Sequence, residues 1–289
     1  MEHFDVAVVG LGVLGSAAAY QAALRGKKVV AFEQFELGHV RGASHDTSRI
    51  VRTANASPQY VSLAKSAYRD WADLEKATDQ KLLTITDGTG VVIETSAGRF
   101  HAAKVILATD AWTNKLLAPL GVHIPLTVMQ EQVTYFKPTD EHAWEPSRFL
   151  VWIWGGDPCF YGFPSFGEPT IKVARDTSNN LMTPEQCTYV HSPQLLEQLC
   201  SFMGNSIPDK GRRPLRTVTC QYSITPDRQF IISPLEKYQD IIVGLGAAHA
   251  FKFAPAFGRA LAELAIDGKS TEDLSKFGIP NNPTSASRL

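Results

Sequence analysis

The chain has 289 residues, 44% of them hydrophobic and 20% charged, with Lys+Arg 28 against Asp+Glu 29. That length accommodates one large domain or two ordinary ones around an ample core, and the composition is that of a soluble globular protein. The balanced charge argues against nucleic acid or an anionic membrane surface as partner, and no apolar run reaches the length of a membrane span. Met1–Phe4 leads straight into a strand pattern with no signal peptide. The four cysteines (Cys159, Cys187, Cys200, Cys220) show no C-x-x-C and no metal spacing, so reduced thiols, an intracellular compartment and no metal are expected.

Asp5–Val9 is a short apolar run rich in β-branched residues, as in a buried parallel strand. Gly10, Gly12 and Gly15 follow as G-x-G-x-x-G, Ser16–Arg25 is Ala-rich and helix-favouring, and Lys28–Phe32 is a second apolar strand closed by Glu33. Each part has a role in holding a dinucleotide. Gly10 permits the tight turn, Gly12 lets backbone approach a pyrophosphate, and Gly15 lets helix and strand pack closely. The helix start, with Val13 and Leu14, offers free N–H groups and a positive dipole end to phosphate. Glu33, with Gln34 beside it, suits ribose hydroxyls and disfavours a 2′-phosphate. This order of elements points to an ADP-containing cofactor and leaves NAD and FAD open.

Leu37–Ser48 reads as a loop and Arg49–Ala54 as an alternating strand. Gln59–Lys76 carries apolar residues at helical spacing behind Pro58. Leu82–Thr86 and Gly90–Thr95 are short strand candidates around Asp87-Gly88, Val105–Ala108 is another buried strand, and Ala111–Leu117 is a helix. Pro119–Pro125 looks like a boundary. Beyond it come aromatic, alternating segments at Gln132–Phe136, Phe149–Trp154, Phe160–Phe163 and Thr170–Ala174, then a helix near Pro193–Met203. Strands return at Leu215–Tyr222 and Gln229–Ile232. Asp240–Gly244, a glycine turn and a helix at Pro255–Asp267 repeat the opening theme. The expected fold is mixed α/β: a discontinuous Rossmann-like nucleotide domain (1–118 and 215–289) with an inserted antiparallel β-rich substrate domain (119–214).

RGASHDTSRIVR (Arg41–Arg52), YGFPSFG (Tyr161–Gly167) with Lys172 after it, TCQYSITPDRQFI (Thr219–Ile231) and KYQDIIVGLGAAHAFKFAPAFG (Lys237–Gly258) together resemble one family. It comprises monomeric sarcosine oxidase, N-methyltryptophan oxidase and peroxisomal sarcosine/L-pipecolate oxidase, which are FAD-dependent oxidases of secondary amino acids. The resemblance selects FAD. It implies that Arg52 and Lys252 hold the substrate carboxylate, that Tyr161 and Tyr222 wall the pocket, and that Lys172 promotes reaction with dioxygen. It also implies that Ser44, His45, Arg49, Gly246, His249, Phe251 and Lys252 line the cofactor. Cys220 matches the cysteine that joins the flavin as a thioether, which needs a locally lowered pKa. The expected partners are a small amino acid and dioxygen, and the expected state is a monomer.

The chain departs from the family pattern in four places. Alanines stand at Ala248 and Ala250 around His249, where the family has glycines and where φ > 0 is costly for alanine. Asp176 replaces a histidine that faces substrate, with Arg175 beside it. Thr109-Asp110 follows a strand that normally leads into glycine. Between about Gly88 and Gly90 the family carries an additional segment on the order of a hundred residues. The chain ends Ser287-Arg288-Leu289, similar to the peroxisomal address that an import receptor reads, with a cytoplasmic location otherwise expected. Alternative readings are an oxidase of fructosyl amino acids, saccharopine or pipecolate, and a shortened, non-catalytic isoform.

Overall fold

The computed structural model describes residues 2–46, 49, 57–78, 91–95, 98–207 and 213–280. They divide into two units, one of Met1–Ser44, Val51–Thr127 and Ser223–Leu289, the other of His45–Ile50 and Val128–Tyr222. The divisions fall nine and eight residues later than the 118/119 and 214/215 read from the sequence, and His45–Ile50 joins the second unit.

The first unit holds β1 (His3–Val9), α1 (Val13–Leu24), β2 (Val29–Phe32), α2 (Pro58–Thr78), β3 (Val91–Thr95), β4 (Gly98–Leu107) and α3 (Thr113–Leu117). Its sheet runs β10-β11-β4-β1-β2, where β10 is Ile231–Pro234 and β11 is Ile241–Leu245, with β3 paired to β4 off the path. β1 pairs in parallel with both β2 and β4, and β4 with β11, which is the nucleotide-binding topology expected from the opening motif. Among the described residues β2 is the last strand on its side of the sheet. The apolar runs become the core: Val6, Ala7, Val8, Ile106, Ile242 and Val243 are buried against Phe257 and Leu261. Each large side chain so buried contributes about 1.5–3 kcal/mol. Phe257 and Leu261 lie on α5 (Ala254–Asp267), which crosses α1 through small residues. A Cβ on Gly258 would lie 2.4 Å from Ala17 C, so only glycine permits that approach.

In the second unit a five-stranded sheet runs β6-β7-β8-β5-β9. Here β5 is Thr127–Lys137, β6 Trp152–Trp154, β7 Cys159–Phe163, β8 Ile171–Asp176 and β9 Arg213–Ile224. β5 pairs β8, β6 pairs β7 and β7 pairs β8, all antiparallel. Side chains alternate between faces along each strand. One face of this sheet is apolar: Phe136, Phe160, Ile171 and Val173 pack with Leu199 and Met203 of α4 (Pro193–Ser206). The opposite face is left for polar chemistry.

Two lengths differ from the sequence reading. β4 begins at Gly98, not Val105, because its first half is held by pairing with β3 and not by an apolar run. β6 is confined to Trp152–Trp154, shorter than the Phe149–Trp154 expected. The strand expectations at Leu82–Thr86 and over most of Arg49–Ala54, the Gly88–Gly90 junction and the C-terminal tripeptide lie outside the described residues.

Candidate functional site

The first unit contains a tight glycine turn at the opening of α1. Gly10 turns at φ 89°, where an L side chain is strained, and a Cβ there would come 2.5 Å from Ala108 O. A Cβ on Gly15 would meet Gly10 O at 1.9 Å, so strand and helix pack in direct backbone contact. Gly12 has ordinary extended angles, and a Cβ there would meet only Ser44 Oγ at 3.0 Å. The Val13 N–H at the opening of α1 donates to Ser44 Oγ at 2.9 Å, an oxygen acceptor at the place where a helix start favours phosphate oxygens. Glu33 closes the turn by accepting the Leu11 N–H at 2.7 Å on Oε2 and the Gln34 N–H at 2.8 Å on Oε1. A carboxylate oxygen accepts more than one hydrogen bond, so ribose hydroxyls can still be added. These residues fit the ADP half of FAD.

The segment after β11 belongs to the same unit. Ala248 adopts φ 77°, so the glycine-to-alanine departure carries its strain there, while Ala250 at φ −81° is relaxed; Ala247 before it also has positive φ, 39°. A Cβ on Gly246 would meet Ala250 Cβ at 2.6 Å and Leu14 Cδ1 at 3.2 Å, which brings this turn against the start of α1. The His249 N–H donates to Gly246 O at 3.0 Å. Phe251 stacks on Trp71, with ring centroids 6.5 Å apart, and the Trp71 indole donates to Lys252 O at 3.2 Å. Asp110, in place of the family's glycine, also sits at positive φ (44°). Burial raises its carboxyl to about 6.

The second unit gathers the remaining candidates on the polar face of its sheet. Register places Lys172 between Tyr135 and Phe163, and Ala174 between Val133 and Tyr161. Asp176 pairs Cys159, and the same β5–β8 register carried two residues further sets it opposite Glu131. Lys172 Nζ lies 5.8 Å and 5.1 Å from the ring centroids of Tyr135 and Phe163. Arg216 stacks on Tyr135 at 3.7 Å, which fixes the parity of β9 and puts Cys220 and Tyr222 on this face too. Along this face Lys172 and Arg216, each paired with a carboxylate (Asp46 and Glu168), lie at one end, and Asp176 and Glu131 lie at the other with the aromatic hydroxyls of Tyr161 and Tyr222. Burial pushes the Tyr161 phenol up, and Tyr222, which hydrogen-bonds it, is raised by burial in the same way. Arg49 donates to the backbone oxygen of His45, closing the loop that faces Lys172.

Three features of this face differ from or add to what the sequence suggests. Arg175 does not crowd Asp176: it lies on the other face of β8, where Nη1 donates to Gln198 Oε1 at 2.8 Å. The Cys220 thiol is raised to about 12, first by burial and then by the Glu131 charge, opposite to the lowered value that thioether formation needs. Glu131 itself was not anticipated. It is 4% exposed, accepts the Ser178 N–H at 2.9 and 3.0 Å, and is held up to about 7 by burial. The signal was present in the period-2 alternation of Glu131, Val133 and Tyr135. Arg52 lies outside the described residues. Among the described residues no His/Cys/Asp/Glu group could hold a metal, no helix is long and apolar enough to cross a membrane, and no disulfide joins the cysteines.

The profile of one family, described as FAD dependent oxidoreductase, matches residues 5–88 and 77–264. The chain belongs to the FAD dependent oxidoreductase family. It is 26% identical to a monomeric sarcosine oxidase of Bacillus sp. (strain NS-129), over 96% of each chain, and 25% identical to the peroxisomal sarcosine oxidase of Homo sapiens, over 97% of each. The Bacillus alignment spans 376 positions, 87 more than the 289 residues of the chain, so at least 87 of its positions are gaps on this side. The two family matches meet across 77–88, beside the junction where the sequence reading placed a missing segment. NikD, an amino acid oxidase essential for nikkomycin biosynthesis, has the same fold (TM-score 0.82, 21% identity, all of both chains). So does the fructosyl peptide oxidase from E. terrenum (TM-score 0.72, 14% identity, 96% and 92% covered).

Proposed function

We propose that this chain is an FAD-dependent oxidase of a secondary amino acid. The observation that carries the reading is the polar sheet face on which Lys172, Tyr161, Tyr222, Cys220 and Asp176 converge from β7, β8 and β9, in a family member whose Gly10–Gly15 turn fits an ADP group. The flavin, when bound, supplies acceptance of a hydride equivalent from the carbon beside nitrogen and delivery of electrons to dioxygen. The protein contributes the rest. Gly12 and the α1 amides receive the pyrophosphate, and Glu33 receives the ribose. Tyr161 and Tyr222 orient the amine, Asp176 and Glu131 give that end of the face negative character suited to an ammonium group, and Lys172 stabilises charge forming on oxygen. Arg52 and Lys252 pair the substrate carboxylate, as in the family pattern.

The same reading makes Cys220 the thioether link, hydrogen peroxide a product, the chain a monomer and Ser287-Arg288-Leu289 a peroxisomal address. Pipecolate, fructosyl amino acids and saccharopine remain alternative substrates because the histidine of the sarcosine-type pattern is Asp176 here. A second reading, a shortened member without turnover, is favoured by the 87 excess alignment positions. The test is purification followed by acid precipitation and a peroxide assay with sarcosine, pipecolate and fructosyl-valine. Yellow precipitate and peroxide support the oxidase, whereas a colourless protein inert towards all three supports the shortened member.

A further inference from the structure

One carboxylate outside the expected set is built into the surroundings of Lys172. Lys172 is 5% exposed, and burial, with a smaller contribution from the Arg49 charge, lowers the pKa of its ammonium. Asp46 opposes that fall in part. Its Oδ2 lies 2.5 Å from Lys172 Nζ, and its Oδ1 accepts the Tyr135 hydroxyl. Both oxygens are thus aimed at the polar face, and the two side chains of the ion pair are 6% and 9% exposed. The backbone of Asp46 stands at φ 98°, a conformation that favours glycine, so the loop is held strained with a carboxylate where glycine would be relaxed. Arg49 Nη1 lies 3.8 Å from the same Oδ2, so Asp46 stands between two cations. The other charged or titratable groups facing Lys172 are Tyr135 and, on β9, Cys220 and Arg216, the last paired with Glu168.

We propose that Asp46 is the positioning residue that keeps Lys172 protonated and aimed for the reaction of the reduced cofactor with dioxygen. The assignment rests on the oxidase reading for the reaction, and on geometry alone for the ion pair. A buried lysine without its counter-ion sheds its proton as pH rises, and a neutral amine cannot stabilise superoxide-like charge. Asp46 thereby extends the pH range over which Lys172 acts, and its contacts with Lys172 and Tyr135 hold the strained backbone in place.

The experiment uses the flavin-loaded holoenzyme and the variants Asp46→Asn, Asp46→Gly and Asp46→Glu. Asp46→Gly also relaxes the backbone and therefore guards against a variant that merely misfolds. Stopped-flow reoxidation of reduced enzyme is followed from pH 6 to 9, beside anaerobic reduction by the amine. Acetylation of Lys172 at pH 8, mapped by mass spectrometry, reads the neutral amine without turnover. The expected result is flat reoxidation in wild type and at least about tenfold loss by pH 9 in the Asn and Gly variants. Reduction should change less than about twofold. Lys172 acetylation in those variants should rise at least about tenfold, and Asp46→Glu should restore the wild-type pattern. Unchanged acetylation and a flat reoxidation profile in both the Asn and Gly variants overturn the proposal. If the wild type oxidises no amine, the oxidase reading fails, and the acetylation comparison alone decides whether Asp46 keeps Lys172 charged.

Discussion

Replacing Gly12 and Gly15 separately by alanine divides cofactor binding from folding, because the structure gives the two added methyl groups different neighbours. At Gly15 the Cβ would lie 1.9 Å from Gly10 O and 3.1 Å from Ala108 Cβ, against a backbone atom that cannot rotate away. Strand and helix must separate by over an ångström, and overpacking of that kind costs about 1–3 kcal/mol or more. At Gly12 the backbone has ordinary angles (φ −64°, ψ −180°), and the nearest atom is the movable Ser44 Oγ at 3.0 Å. The loss of a good helix cap and the reduced entropy of the unfolded chain nearly cancel, so apoprotein stability should move by less than about 1 kcal/mol. The Gly12 methyl nevertheless occupies the space through which backbone approaches the pyrophosphate. A penalty of about 1.4–3 kcal/mol there weakens binding by roughly ten- to a hundredfold. Urea unfolding of the apoproteins and FAD titration followed by flavin fluorescence read the two effects. Gly12→Ala with wild-type stability and wild-type FAD affinity would refute the cradle assignment, as would a Gly15→Ala protein as stable as its parent.

Glu131 makes stability depend on pH in a defined sense. Its folded carboxyl is held at about 7 against an ordinary 4.5, so the folded state binds the proton more tightly, and stability falls as pH rises from about 4.5 to 7 and stays lower above. Glu131→Gln should remove up to about 3 kcal/mol of that fall between pH 5 and 8, measured by urea unfolding at both values, and an unchanged slope would exclude Glu131 as its source. Ala248→Gly relieves φ 77° and should raise stability by roughly 1 kcal/mol, or a few degrees in melting temperature by calorimetry. A lowered melting point would mean that the alanine methyl contributes packing. Cys220→Ala should abolish flavin retained through acid precipitation. Acid-stable flavin in that variant would move the covalent link elsewhere.

The parts of the molecule legible in the sequence are those fixed by local chemistry. The run from Asp5 to Glu33 states its strand, turn, helix and acid in order, and each residue's role depends on neighbours within one βαβ unit. α2 was likewise readable from helical spacing, and α5 from its place after a strand and a glycine turn. The first half of β4 was not, because residues such as His101 and Lys104 have no strand signature and are held by pairing with β3 and β1. Glu131 and Asp176 face each other only through the register of β5 on β8, some forty-five positions apart in the chain. Asp46 reaches Lys172 across an even longer separation, from a loop whose sequence gives no hint of an ion pair. Lys172, Cys220 and Tyr222 were identified through resemblance, while their placement on one face follows from strand parity.

The most direct test of the central claim is anaerobic mixing of the purified holoprotein with a secondary amino acid, followed by admission of air. The account predicts a yellow protein whose visible absorbance bleaches on reduction and recovers with dioxygen, releasing one peroxide per amine oxidised. A flavin-bound protein that sarcosine, pipecolate and fructosyl-valine all leave unbleached, or a protein that binds no FAD at all, would contradict it.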